Sequence, residues 1–373
     1  RQDMFLLVSS LLVRVTPMPR RITIAGSGPA GLSVAINLAK AGFDVHVYER
    51  NVEVGQRFHG DLQGLENWSR KVDVLEDLAR MNIDVNFECD PFRTLTITNG
   101  DLTHDIKGQR PHCYLVKRGA MSGSLDQGLK QQALAAGVQL HLHQALPIEQ
   151  TDIVATGPRL GEVFAVDAGI VFKTSLPDMA VGVLHDPGAW KGYGYLLVTK
   201  GYGCLCVMLF EQFPEAHHCL QETRRLLEQK YRLNIRDPHD VGGIGSWRNR
   251  PQWEDRGRQL VGEASGLQDF LWGFGIRNAI TSGWLAAQSI ITGQSYARLA
   301  DAHFSRRLKA GLVNRWLWHL ASRRNYRSVI QILRLIPNPP GLLRSFYNFN
   351  PFQRLCWPLA ERRIRRQYPQ LAW

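Results

Sequence analysis

The chain has 373 residues, 44% apolar and 21% charged, a balance that excludes a disordered chain and supplies the core of two or three domains. Its net charge of +12 excludes a nucleic-acid-binding body: residues 301–373 hold 14 Lys and Arg against 2 Asp and Glu (14 − 2 = +12), while the preceding 300 residues hold 31 of each. The six cysteines contain no C-x-x-C pair, which excludes a zinc site by spacing and a disulfide framework, and fits a reducing cytoplasm with no metal.

Residues 1–17 include an apolar run, Met4 to Val13, that is too short to span a bilayer and lacks the basic flank of a secretory signal. They are expected to be a dispensable extension. The first strong element follows at Arg21 to Arg50. Ile22 to Ala25 read as a strand, Gly26, Gly28 and Gly31 as a G-x-G-x-x-G turn opening a helix, and Asp44 to Tyr48 as a second strand ending at Glu49. Gly26 permits the tight turn, Gly28 lets a pyrophosphate approach backbone N–H groups, and Gly31 lets helix and strand pack closely. Glu49, eighteen residues after Gly31, stands where an acid accepts ribose hydroxyls. The unit is expected to bind an adenine dinucleotide.

The next stretch, RNVEVGQRFHGDLQGLENW, reads as a long loop leading into a helix near residues 66–81. FRTLTITNGDLTHDIKG alternates around Asn99-Gly100 and reads as a hairpin, which opens a second, antiparallel domain. CYLVKRG returns to the first domain as a strand carrying Arg118. A helix over 122–136, a strand over 138–143 and a strand ending at Thr156-Gly157 follow. Residues 163–250 hold several β-like runs and a helix over 218–231, with GGIGSW at 242–247 read as a bend. Cys204 and Cys206 are expected on one buried strand face. Leu260 to Glu263 is a strand, and Gly273 and Gly275 precede an apolar helix to about Ile291, whose small residues permit close packing on the glycine-turn helix. In the tail, Phe304, Leu308, Leu312, Trp316 and Leu320 recur every four residues among arginines. Two readings stay open for it: a packed helical subdomain with a solvated basic exterior, or contact with an anionic membrane surface.

Four separated pieces, GSGPAG with Glu49, the Arg118 segment, IVATG, and LVGEASGLQDFLWGFGIRNAITSGWLAA, together resemble the flavoproteins built like para-hydroxybenzoate hydroxylase, and most the geranylgeranyl reductase family. The resemblance covers about residues 20–295. It implies an α/β fold in which a Rossmann-type FAD-binding domain with a parallel sheet is interrupted by an antiparallel β-sheet substrate domain (α+β), with a C-terminal helical segment. The boundaries expected are 19–85, 111–160 and 257–295 for FAD binding, 86–110 and 161–256 for substrate, and 296–373 for the basic helical region.

Carried onto this chain, the resemblance assigns Gly26, Gly28, Pro29, Ala30, Gly31, Glu49 and Arg50 to the FAD pyrophosphate and adenosine. Arg118 and Thr156-Gly157 fall to its middle, and Gly262, Glu263, Gly273, Gly275 and Ile276 to the ribityl and flavin end. Three departures stand out: Glu263 replaces the family's aspartate, Thr156-Gly157 replaces the hydroxylases' Asp-Gly, and the reductases' aromatic strand motif is only echoed by Tyr193, Tyr195, Leu197 and Val198. The flavin halogenases' Trp-x-Trp-x-Ile-Pro is absent. No second dinucleotide turn is found, so electrons are expected from transiently bound NAD(P)H or a carrier protein. The substrate is expected over the flavin N5 between the two domains, with His59, Tyr193 and Trp272 as catalytic candidates.

The leading expectation is reduction of C=C bonds in an apolar, polyprenyl-like small molecule. Alternatives are hydroxylation of an apolar substrate by an FAD-dependent monooxygenase, or a non-catalytic flavin-binding protein at a membrane. The expected location is cytoplasmic, with peripheral contact on the inner face of the membrane through residues 301–373, and no nucleic-acid partner is expected. Deleting residues 1–17 is expected to leave soluble yield and flavin content unchanged; loss of soluble protein contradicts this.

Overall fold

The computed structural model describes residues 20–336 and 339–373; the extension at residues 1–17 lies outside them. Three sheets and the helices around them make up the chain. In the first sheet, Arg21–Ala25 lies between Asp44–Tyr48 and Ile153–Val154, Gln139–His141 extends one side and Arg258–Leu260 the other, all parallel. Ile22, Ile24, Val45 and Val47 are buried, as strands covered on both faces require. The second sheet has seven strands in the order Arg236–Ser246, Val163–Lys173, Tyr202–Leu209, Tyr193–Thr199, Met179–Val183, Thr94–Thr98, Thr103–Lys107, antiparallel except where Met179–Val183 meets Thr94–Thr98. The hairpin turn forms as its sequence indicates, with Gly100 at φ +96 and the Asn99 side chain accepting from the Leu102 N–H at 2.8 Å.

The third sheet corrects the sequence reading. His59–Glu66, expected as loop, is a strand, and it pairs with Cys113–Gly119, which in turn pairs with Asp90–Phe92. Cys113–Gly119 therefore leaves the parallel sheet's pairing altogether. The helix expected over 66–81 shortens to Val74–Arg80, capped by Asp73, whose carboxylate accepts from the Leu75 N–H. GGIGSW is no bend either: Gly242, Gly243 and Gly245 lie within the eleven-residue strand Arg236–Ser246.

The glycine-turn helix, Pro29–Lys40, packs along Ile276–Thr292. Gly283 makes this possible, since a Cβ there would stand 2.3 Å from the Ala30 carbonyl oxygen, and Ser33 Oγ donates to the Ile280 carbonyl at 2.8 Å. Cys204 and Cys206 are buried on one strand face, their Sγ atoms 3.5 Å apart.

The tail forms the helices Tyr296–Ser322, Arg327–Leu335, Pro339–Phe346 and Pro351–Gln367. Two of its arginines are not exterior. Arg315 is fully buried, donates to the carbonyls of Phe270 (2.9 Å), Lys191 (2.6 Å) and Leu271, and lies 3.5 Å over the Phe210 ring. Arg307 donates to the buried Glu66 carboxylate at 2.6 Å and, with Arg277 beside it, holds Glu66 down to about 2 despite the opposing effect of burial.

Gly283→Val is expected to cost ~2 kcal/mol or more in denaturant unfolding and to strip the cofactor, whereas Gly161→Ala, in open space, changes neither. Equal stability of the two variants contradicts the packing argument.

Candidate cofactor and substrate site

One continuous cavity of about 740 Å³ runs from the glycine turn through the interior to the tail helices, within the range of about 300–1,000 Å³ usual for ligand sites. At one end lie Gly26, Gly28, Pro29, Ala30, Glu49 and Arg50. Gly26 has φ +99, and a Cβ on it would reach 2.4 Å from the Ala155 carbonyl; around Gly28 there is only open cavity. Gly31 does not line the cavity. It packs against Gly26, whose carbonyl oxygen lies 2.1 Å from where its Cβ would be.

Both Glu49 carboxylate oxygens are engaged. One accepts from the Ser27 N–H (3.1 Å) and Oγ (2.7 Å), the other from the Asn51 N–H (2.9 Å) and Nδ2 (2.7 Å). A carboxylate offers about four acceptor positions, so a ribose hydroxyl reaches Glu49 by displacing the Ser27 hydroxyl or the Asn51 amide.

Arg118, Thr156 and Gly157 line the middle. Arg118 is buried, bidentate to Asp126 at 2.8 and 2.9 Å, bonded to Gln63 Oε1 at 2.9 Å, and 4.2 Å from the Phe58 ring centroid. Its cationic plane is thus fixed before any ligand arrives. Beyond it come Gly262, Glu263, Gly273, Gly275 and Ile276. Gly273 has φ +77, and Gly275 starts the helix Ile276–Thr292 with no side-chain cap and no acid in the first turn. The glycine-turn helix is likewise uncapped and free of acid in its first turn. Two helix N-termini, each with unpartnered N–H groups and partial positive charge, therefore open on the same cavity. This pairing fits FAD: one end suits a pyrophosphate, the other the negative charge of a reduced flavin near N1.

Glu263 belongs to an acidic cluster at the second end, in which the sequence reading missed Asp167. Asp167 is a lone acid inside the apolar strand Val163–Lys173, and that isolation was the available signal. It lines the cavity beside Arg57, where Gly243 contributes no side chain: a Cβ there would lie 3.1 Å from Asp167 Oδ1 and 3.3 Å from an Arg57 Nη. Arg57 donates to the Ile244 carbonyl at 2.7 Å and sits 3.9 Å from Glu263. Burial, then repulsion from Asp61 and Glu263, pushes the Asp167 carboxyl up to about 6 against the pull of Arg57. Glu263 is also raised, by burial, despite Arg57, the Gln268 amide at 3.1 Å and the Ser246 N–H at 3.3 Å. Asp61 is raised by burial as well.

The catalytic candidates separate. His59 is exposed, and the cavity lining does not include it; the strand that replaces the expected loop turns it outward, while Leu62, Gln63 and Gly64 of the same strand line the cavity. Of the three catalytic candidates, His59 therefore does not face the cavity. Tyr193 and Trp272 line the cavity. The Tyr193 hydroxyl donates to the Trp272 carbonyl at 2.6 Å, and burial keeps it neutral, which makes it a wall. Its ring meets Trp272 edge-on at 5.2 Å, and Trp272 meets Trp318 at 4.5 Å. The aromatic wall thus continues into the tail, where Leu317, Val329, Leu333, Leu342, Leu343 and Phe346 complete an apolar chamber.

Residues 24–64 match the family described as an NAD(P)-binding Rossmann-like domain. UacF of Escherichia coli (strain K12), named as an oxidoreductase, is 34% identical over 97 residues, which are 25% of this chain and 14% of that protein; the chain thus spans far less than two thirds of this relative. Among solved structures, a geranylgeranyl bacteriochlorophyll reductase-like protein from Thermoplasma acidophilum superposes with a TM-score of 0.70 at 16% identity, covering 91% of this chain and 99% of that one. The flavin-dependent brominase Bmp2 gives 0.63 at 13%, covering 93% and 99%. At such identities the likeness is one of fold: the chain has a Rossmann-like domain and the fold of flavin-dependent oxidoreductases, with a geranylgeranyl-reductase-like neighbour, as the four sequence pieces implied.

Because folded Asp167 keeps its proton up to about pH 6 while the unfolded carboxyl releases it near 3.8, the folded state loses stability as pH rises between those values and does not regain it above. Asp167→Asn is therefore expected to stabilise the cofactor-free protein by about 1–3 kcal/mol at pH 8 and by little near pH 3.5. Urea midpoints across pH check this; a gain independent of pH contradicts it.

Proposed function

We propose that the chain is an FAD-dependent oxidoreductase that saturates C=C bonds in an apolar, polyprenyl-like substrate. The observation that carries this reading is the apolar chamber: the cavity continues past the flavin-fitting end, along the wall of Tyr193 and Trp272, to side chains of three tail helices. An extended hydrocarbon chain suits such a lining, since each buried methylene contributes roughly 0.8 kcal/mol. The reductase-like neighbour's fold supports the reading without supplying its substrate.

When bound and reduced by an external donor, FAD would supply a hydride at its ring N5. The chain's own residues do the rest. The N-terminus at Gly273 to Ile276 favours negative charge at the adjoining ring edge, and Arg118 holds a fixed cation midway. Trp68, Tyr193, Trp272 and Phe274 exclude water from the cavity they line. Asp167, whose carboxyl burial pushes up to about 6, lines that cavity and is our choice for the acid that protonates the second carbon. Electrons reach the site from NAD(P)H or a carrier protein.

Photoreduced holoprotein mixed without oxygen with a polyprenyl alcohol or diphosphate is expected to reoxidise, with the lipid gaining one H2 for each bond reduced. Asp167→Asn is expected to slow this step ~10²-fold and to remove its dependence on an acid titrating near pH 6, with flavin content unchanged. Reoxidation that requires oxygen and places an oxygen atom in the product overturns the reading in favour of hydroxylation.

A further inference from the structure

We propose that the C-terminal helices dock on an anionic lipid bilayer and turn the mouth of the apolar chamber toward the membrane. On Pro351–Gln367, Gln353, Ala360 and Ile364 face inward. The opposite face presents Phe352, Leu355 and Leu359, at 52%, 82% and 49% exposure, followed by exposed Arg362 and Arg366. These positions recur at the spacing of a single helical stripe. Large aliphatic and aromatic side chains are thus held in water on a structured helix, beside guanidinium groups.

The helix that carries this stripe adjoins the chamber through its buried face. The helix begins against the end of Pro339–Phe346: Gln353 Nε2 donates to the Phe346 carbonyl at 2.7 Å, and Asn350 Nδ2 to Ser345 Oγ at 3.2 Å. Phe346 lines the cavity, and so does Ile332, which is also 51% exposed and therefore sits where the cavity meets the surface. Leu335, one turn further along the same helix, is 82% exposed.

The charge selects the occupant. Arg362, Arg363, Arg365 and Arg366 are exposed and form no ion pair among the described residues. A second copy of the chain would set this arginine cluster near its own image, and a nucleic acid offers nothing to Leu355 or Leu359. An anionic bilayer satisfies both halves of the stripe, acyl chains taking the aliphatic side chains and headgroups the guanidinium groups. No helix among the described residues is long and apolar enough to cross a membrane, so the contact is interfacial. The proposal goes beyond the proposed reaction, and its readout is binding without turnover.

The FAD-loaded full chain is sedimented with phosphatidylglycerol/phosphatidylcholine vesicles and with pure phosphatidylcholine vesicles. At low salt, partition onto the anionic vesicles is expected to be at least ~10-fold greater and to fall as salt rises. The pairs Leu355→Glu/Leu359→Glu and Arg362→Gln/Arg366→Gln are each expected to reduce it ~10-fold with flavin absorbance unchanged. Should the glutamate pair lose its flavin, the glutamine pair decides alone. Wild-type protein that stays in the supernatant with both vesicles, or variants that partition as the wild type does, overturn the proposal. So does a dimer in light scattering that the glutamate pair dissociates, because the face then belongs to a second copy.

Discussion

The site depends on one close approach. Gly283 lets the helix Ile276–Thr292 press against the first turn of Pro29–Lys40 at Ala30, so elements separated by 250 residues begin at the same cavity. Neither N-terminus carries a side-chain cap or an acid, which leaves both positive ends for a ligand. A pyrophosphate at one end and an electron-rich ring edge at the other answer those two ends together. A ligand with only one negative region leaves one set of N–H groups to water. The glycine turn by itself is consistent with any adenine dinucleotide; the second N-terminus is the feature that FAD would use and that the glycine turn alone does not supply.

The tail is part of this arrangement. Arg315 draws the carbonyls of Phe270, Leu271 and Lys191 onto one guanidinium, fixing the turn that carries Trp272 and Gly273. Hydrogen bonds from a charged donor to carbonyls are worth about 1.5–3 kcal/mol each, so the tail sets the shape of the flavin-facing turn as well as the chamber beyond it. Across the cavity, the missing side chain at Gly243 leaves room for Asp167, Arg57 and Glu263 to meet. Burial, with repulsion from the neighbouring carboxylates, raises the Asp167 carboxyl to about 6.

The elements with strong local signals were readable in the sequence: the glycine turn, the hairpin at Asn99-Gly100, and the small-residue helix after Gly275. Elements decided by long-range pairing were not. HGDLQGLE has the composition of a loop, and it becomes a strand because Cys113–Gly119 offers it a partner. GGIG reads as a bend for the same reason, although its glycines serve to clear space for facing side chains. Charge counting places the tail arginines outside, while Arg315 is buried against carbonyls and Arg307 is mostly covered against Glu66, partners that lie far away in sequence. Many of the residues at the two helix N-termini that line the cavity were legible because they sit in turn motifs. Asp167 and Arg57 were not, since they meet only where the turn carrying Arg57 reaches the paired strands Val163–Lys173 and Arg236–Ser246.

The most direct test of this account is equilibrium titration of the cofactor-free chain with FAD, FMN and NAD, followed by flavin absorbance and fluorescence. The account predicts one FAD bound per chain, with FMN and NAD each weaker by at least ~10²-fold because each engages only one of the two helix N-termini. Comparable binding of NAD, or no binding of FAD, contradicts it.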